Sequence, residues 1–202
     1  MGAAAMAEEL EDESRIRRPA VDRETLIRCK ARDPQAFRVF VVAHQCAVFA
    51  LLSHMLGPGP HVEDLAQEVF FRAYRAFPNF DLDGAARPSS WLLTIAVRLA
   101  INARKQKPPP LIEYEHALRV SHSSTPETER ARRELGQAIE RAAAELSDDQ
   151  RAVFVLSQYH GMSGSEIADA LQIALSTVKT RLFRARSHMR GRLEPIWKGN
   201  AR

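Results

Sequence analysis

The sequence predicts an all-α protein of two small helical domains joined by a flexible linker, the C-terminal one a helix-turn-helix. Three observations predict it. Apolar residues recur at spacings of three and four along most of the chain, and no stretch alternates in the manner of a strand. Helix-capping residues stand in front of these stretches, as in Asp33-Pro34 and Ser147-Asp-Asp-Gln150. A proline-rich break, Lys107-Pro-Pro-Pro110, is followed by Ser121-His-Ser-Ser-Thr-Pro126 and splits the helical pattern in two. The expected organisation is a disordered lead at 1–20, an N-terminal domain at 21–106, a linker at 107–128, a C-terminal domain at 129–195 and a tail at 196–202.

The first helix carries Leu26, Ile27 and Ala31 and is capped by Asp22 or Thr25. Asp33 caps the second, with Pro34 at its first position. That helix is long and apolar on several faces (Phe37, Phe40, Val41, Val48, Leu51, Leu52, Leu56), so it belongs at the centre of its domain; Gly57-Pro-Gly-Pro60 ends it. The third begins near Val62 and turns Leu65, Ala66, Val69, Phe70, Ala73 and Phe77 inward. Asp64, Gln67, Glu68, Phe71, Arg72 and Arg75 lie off that stripe. An exposed Phe among charges fits a protein-binding face as well as an ordinary solvated surface.

Pro78–Pro88 reads as a loop, after which Ser89 or Ser90 caps a helix with Trp91, Leu92, Ile95, Ala96 and Leu99 facing in. Trp91 reads as core. Arg98, Asn102 and Lys105 share another face, with Arg104 beside them, and such a polar, basic face suits single-stranded DNA. Beyond the linker, Leu135, Ile139, Ala142 and Leu146 mark one helix and Val153, Phe154, Leu156 and Tyr159 the next, which Gly161 ends. Ser163 or Ser165 then caps a short helix with Ile167, Ala168 and Leu171 inward. The turn Gln172-Ile-Ala174 lacks glycine, so Gln172 is expected in a left-handed conformation. Ser176 is expected to cap the last helix, in which Val178, Leu182, Ala185 and Met189 form one buried stripe. Its other faces carry Lys179, Arg181, Arg184, Arg186 and Arg190 without an acid. A short helix with an apolar seat and a basic outer surface suits the DNA major groove. Glu194-Pro195 is expected to end it.

Composition narrows the function classes. The 202 residues are 45% hydrophobic and 27% charged, ordinary values for a globular protein. Net charge is +4, but from Ser176 to Arg202 eight Lys or Arg face a single acid, Glu194, while residues 8–13 hold Glu8, Glu9, Glu11, Asp12 and Glu13. That asymmetry points to a nucleic-acid-binding C-terminus. No run of about 18 apolar residues is evident, so no membrane span is expected. The acidic start does not read as a signal peptide, and Met1 or Met6 can begin the chain. A cytoplasmic location follows, and two cysteines make no disulfide framework. His44, Cys46 and His54 show no paired metal-ligand motif, and no nucleophile or acid–base signature marks an enzyme. No cofactor, metal or small-molecule substrate is expected. A helix-turn-helix regulator that binds duplex DNA without polymerase would account for the C-terminal half alone.

Three motifs resemble bacterial RNA polymerase sigma factors of the extracytoplasmic-function (ECF) group of the sigma-70 family. Glu63-Asp-Leu-Ala-Gln-Glu-Val-Phe-Phe-Arg-Ala-Tyr-Arg-Ala-Phe77 is similar to that family's core-polymerase-binding helix. Ser90-Trp-Leu-Leu-Thr-Ile-Ala-Val97 is similar to its promoter-melting segment. Leu146-Ser-Asp-Asp-Gln-Arg-Ala-Val-Phe154, with Ser176-Thr-Val-Lys-Thr-Arg-Leu-Phe-Arg-Ala-Arg186, is similar to its C-terminal DNA-binding domain. The resemblance spans about residues 22–192. It implies a sigma factor that directs promoter-specific initiation and is held inactive by an anti-sigma factor, which in this group is often tethered at the inner membrane. It implies core-polymerase binding, at the largest subunit's clamp, by Asp64, Gln67, Glu68, Phe71 and Arg72. It implies minus-ten DNA contacts from Asn79, Phe80, Arg87, Ser90, Arg98, Asn102, Arg104 and Lys105. It implies minus-thirty-five DNA contacts from Ser176, Thr177, Lys179, Thr180, Arg181 and Arg184. The chain departs from the family pattern at Arg98, where Asn is common, and at Pro88, where an aromatic residue is common.

Overall fold

A computed structural model describes residues 21–106 and 126–199. The expected lead, residues 107–125 of the expected linker and the last three residues lie outside the described residues. Eight α-helices make up the described chain: α1 (Arg23–Lys30), α2 (Pro34–Leu56), α3 (Pro60–Ala76), α4 (Pro88–Gln106), α5 (Pro126–Ala144), α6 (Asp148–Gln158), α7 (Gly164–Leu171) and α8 (Leu175–Gly199). A 3-10 turn, Phe77–Asn79, follows α3. No strand occurs among the described residues.

Local chemistry sets most helix starts. The Asp22 carboxylate accepts from the Thr25 N–H at 2.8 Å, and Asp33 accepts from Gln35 N–H at 2.8 Å with Pro34 following. Ser147 with Gln150 and Ser163 with Glu166 both close capping boxes. Four boundaries differ from expectation. Helices α3 and α4 begin on Pro60 and Pro88, whose fixed φ and missing N–H suit a first turn, so Ser89 and Ser90 lie inside α4 and do not cap it. Helix α8 begins at Leu175, with the Ala174 carbonyl accepting from Val178 N–H, so Ser176 also lies inside its helix. That helix continues through Pro195 to Gly199.

Helix α2 is the axis of the fold. Its 23 residues span about 35 Å and pack against α1, α3, α4 and α6. By length and hydropathy it is apolar enough to cross a bilayer, contrary to the sequence expectation. Its apolar character serves packing: Phe37, Phe40, Val48, Leu51, Leu52 and Met55 are buried among neighbouring helices. At its first half Phe37, Phe40, Phe77, Phe80 and Trp91 meet edge-on or tilted, with ring centroids 5.0–6.1 Å apart.

The two halves share this core. Val153, Leu156, Ile167 and Ala170 belong to the same apolar cluster as Leu52, Leu93, Ala96 and Val97. A smaller cluster of Ala142, Leu146, Phe154, Ala185 and Met189 fixes α5 and α6 to α8. Arg192 pairs with Glu145 at 2.5 Å and reinforces that seat.

Candidate nucleic-acid interface

The predicted site residues fall into three groups, which the fold treats differently. The first lies on the outward face of α3. The inward stripe buries Val62, Ala66, Val69 and Ala73 and so turns Asp64, Gln67, Glu68, Phe71 and Arg72 out together. Phe71 is 55% exposed, and the Arg75 guanidinium sits 5.4 Å from its ring centroid. Arg72 Nε donates to Glu68 Oε1 at 2.6 Å, one turn back. Glu68, Phe71, Arg72, Arg75 and Ala76 line a shallow depression. Arg75 completes this face; in the sequence its i, i+4 spacing from Phe71 was the signal.

The second group, expected at separated DNA, is not a single surface. The loop after α3 is tied down by Lys30 Nζ, which donates to the Phe80 carbonyl at 2.7 Å, and by the Arg23–Asp83 ion pair at 2.8 Å. Asn79 and Arg87 are exposed on it. Phe80 is not: its ring packs under the loop against Phe77 and Trp91. It therefore supports the loop and presents no face to a base. On α4, Arg98, Asn102 and Lys105 reach the surface along one stripe. Ser90 is buried, its hydroxyl donating to Glu166 Oε1 at 2.7 Å. Arg104 points inward, donating to Asp148 and, at 2.7 Å, to the Met55 carbonyl. Arg98 Nε donates to the Ala170 carbonyl at 2.9 Å. Burial works against the Glu166 carboxylate, but the Ser163 N–H, the Ser90 hydroxyl and nearby Arg87 outweigh it and hold its pKa below the ordinary value.

The third group lies on α8. The stripe Val178, Ala185 and Met189 is buried, which aims the opposite face outward. Ser176, Lys179, Thr180 and Arg184 are exposed there and Thr177 is half-buried. Arg181 sits on the flank, its guanidinium 2.5 Å from Asp149 of α6, and does not join the outward face. The residue that sequence reasoning missed is Phe183, 74% exposed at the centre of the face. It follows Ser176 by seven and Thr180 by three, so the helical period alone could have found it. Gln172 occupies the expected left-handed conformation, φ 57° and ψ 48°, and its Nε2 donates to the Asp169 carbonyl at 2.7 Å.

Comparison with known proteins agrees with this division of the chain. Residues 40–108 match the family Sigma-70 region 2, and residues 136–189 match Sigma-70, region 4. The RNA polymerase sigma-H factor of Pseudomonas aeruginosa is 31% identical over 187 residues, covering 87% of this chain and 95% of that protein. The ECF RNA polymerase sigma-E factor of Escherichia coli K12 is 34% identical over 179 residues, covering 84% of this chain and 92% of that protein. Among solved structures, CnrH in complex with the cytosolic domain of CnrY has a TM-score of 0.62 at 24% identity, covering 87% of this chain and 99% of that one. The sigma factor RpoE of Bartonella quintana, in complex with the anti-sigma factor NepR, has a TM-score of 0.59 at 22% identity, covering 78% and 96%. At these identities the two structures speak to the fold. With region 2 and region 4 both matched in order, and with relatives above 30% identity along nearly their whole length, the chain belongs to the ECF sigma factors of the sigma-70 family.

Proposed function

We propose that this sigma factor binds core RNA polymerase through the outward face of α3 and places it on promoters through α4 and α8. The observation that carries the reading is the pair of separate exposed faces: Phe71 among Glu68, Arg72 and Arg75, and Phe183 among Thr180, Arg184 and Lys179. On α8, Ser176 and Thr180 hydrogen-bond base edges, Arg184 reads guanine and Phe183 packs on a thymine methyl. Lys179, Arg186 and Arg190 hold phosphates. Asn79 and Arg87 on the loop, with Arg98, Asn102 and Lys105 on α4, hold the separated minus-ten strand, and the loop receives a flipped base. Each contact is weak alone; linkage in one chain raises the effective concentration of the others.

An anti-sigma partner is part of the proposal. Among the structural neighbours, RpoE is seen with the anti-sigma factor NepR and CnrH with the cytosolic domain of CnrY, and this chain leaves Val39, Val42 and Phe49 exposed along α2 as well as Phe71 on α3. If that partner is membrane-tethered, it holds the chain at the inner membrane.

The test is fluorescence anisotropy of the labelled chain titrated with core polymerase. Saturable binding is expected, weakened about tenfold or more by Phe71→Ala with Arg72→Glu, the loss of contacts worth about 1.4 kcal/mol. Equal binding by the double variant removes α3 from the interface. No binding by the wild-type chain leaves only a duplex-binding regulator.

A further inference from the structure

The loop between α3 and α4 has backbone hydrogen bonds at its two ends: Phe80 N–H donates to the Phe77 carbonyl and Trp91 N–H to the Arg87 carbonyl, both at 2.9 Å. Between them, side chains hold it. Within the loop, Asp81 Oδ1 accepts from the Asp83 N–H at 3.0 Å, and a Cβ at Gly84 would come within 3.0 Å of Asp81 Oδ2, so the turn is tight. From outside, one face of α1 reaches the loop twice. Arg23 and Lys30 are the first and last residues of α1, so they share a face about 10 Å long. Lys30 Nζ, half-buried, donates to the Phe80 carbonyl at 2.7 Å, and Arg23 Nη2 donates to Asp83 Oδ1 at 2.8 Å. Phe80 is thereby fixed through its N–H, its carbonyl and its ring. Helix α1 is itself fastened: Cys29 is fully buried, and the Tyr74 hydroxyl of α3 donates to the Arg32 carbonyl at 3.1 Å. Past these ties Gly84, Ala85, Ala86 and Arg87 are exposed.

A flipped base is told from its competitors only by a pocket that keeps its shape; a loose loop accommodates any of them. We propose that α1 is a splint for that pocket: Lys30, with Arg23, fixes residues 80–83 so that Asn79 and the exposed stretch Gly84–Arg87 meet the minus-ten base in one geometry. The inference rests on the loop reading above, in which this loop receives a flipped base. Lys30 and Arg23 are positioning residues and touch no DNA. The two are unequal. The Arg23–Asp83 pair is exposed at both ends, where an ion pair holds little. The Lys30 bond is partly shielded from water and is the stronger tie. Base choice at minus-ten is thus set in part from a helix that contributes no residue to the loop.

The experiment uses holoenzyme, the full chain on core polymerase. The probes are fluorescent single-stranded oligonucleotides carrying the minus-ten region of a promoter that it transcribes, with each base replaced in turn. The loop's position is the one whose discrimination falls when Asn79→Ala and Arg87→Ala are combined; if none falls, the loop reading itself is refuted. At that position Lys30→Met should lower discrimination about tenfold and leave other positions unchanged, and Lys30→Arg, which keeps a donor, should restore most of it. The salt dependence of binding should not change, because loss of a lysine from a phosphate would shift the slope by about 0.7. Wild-type discrimination by Lys30→Met overturns the proposal. So does an equal loss at every position with a lowered salt slope, which would make Lys30 a phosphate contact. Should Lys30→Met not fold, Arg23→Glu, at an exposed site, sets a like charge against Asp83 and decides. A loss about threefold greater at the loop's position than elsewhere is expected, and no such difference overturns the proposal.

Discussion

Gln172 joins the two helices of the helix-turn-helix at φ 57° and ψ 48°, a conformation that costs an L-residue about 1–2 kcal/mol. Its side chain returns part of that cost, because Nε2 donates to the Asp169 carbonyl at 2.7 Å in an exposed bond worth about 0.5–1 kcal/mol. Gln172→Gly removes the strain, loses the bond and adds about 0.5–1 kcal/mol of unfolded-chain freedom. The three effects nearly cancel, so the variant should lie within about 1 kcal/mol of the wild type. Gln172→Val loses the bond and forces a β-branched residue into the left-handed region, and should cost about 2 kcal/mol. With a urea dependence of about 2 kcal/mol per molar, the midpoint for valine falls by about 1 M, while that for glycine moves by half as much or less. Urea unfolding followed by circular dichroism measures both. A valine variant as stable as the wild type would refute a left-handed turn at this position. A glycine variant more stable by over about 2 kcal/mol would refute the compensating hydrogen bond.

Three further outcomes follow from the packing and charges. Phe77→Ala empties a fully buried site ringed by Phe37, Phe40, Phe80 and Trp91, so chemical unfolding should show a loss of about 3–5 kcal/mol, and Phe77→Leu much less. Burial raises the Glu140 carboxyl to about 7 against the pull of Arg151, and Oε2 has no hydrogen-bond partner among the described residues. The unfolded chain releases this proton near its ordinary value of about 4.5, so stability from this group is lost as pH rises from there through about 7. Burial depresses the His54 pKa, which acts in the opposite direction below its ordinary value of 6.5, so the readout is the difference between variants: Glu140→Gln should gain in Tm over the wild type at pH 8 and not at pH 4. On a minus-thirty-five duplex, Arg184→Ala should cost about 1–3 kcal/mol and relax preference at one base pair, whereas Arg190→Ala should weaken all sequences alike and lower the salt slope by about one; equal effects on cognate and scrambled duplexes would remove Arg184 from base reading.

What the sequence disclosed and what it hid separate by range. Caps at Asp33 and Ser147 and the turn at Gln172 were readable, and those at Asp22 and Ser163 were narrowed to two residues each, because each is decided within three or four residues. The buried stripes of α3 and α8 were readable for the same reason: a helical period fixes a face once one side is known. The starts of α3, α4 and α8 were misplaced because two prolines and Leu175 enter their helices ahead of the serines and valine that looked like boundaries. The destinations of Ser90, Arg98 and Arg104 were not readable at all. Their partners lie 76, 72 and 44 residues away and depend on how α6 and α7 dock on α4. Phe80 was expected at minus-ten DNA and is buried instead; nothing local distinguishes it from exposed Phe71, and only the ring cluster around Phe77 buries one and not the other.

The central claim is that this chain confers promoter specificity on core polymerase through two DNA-facing helices and one polymerase-facing helix. Run-off transcription tests it most directly, with purified core polymerase, the full chain and a genomic promoter pool. The account predicts discrete transcripts that require the chain, that disappear with Phe71→Ala plus Arg72→Glu, and that share minus-ten and minus-thirty-five sequences. Absence of any chain-dependent transcript, or transcripts that survive the α3 double variant undiminished, would contradict it.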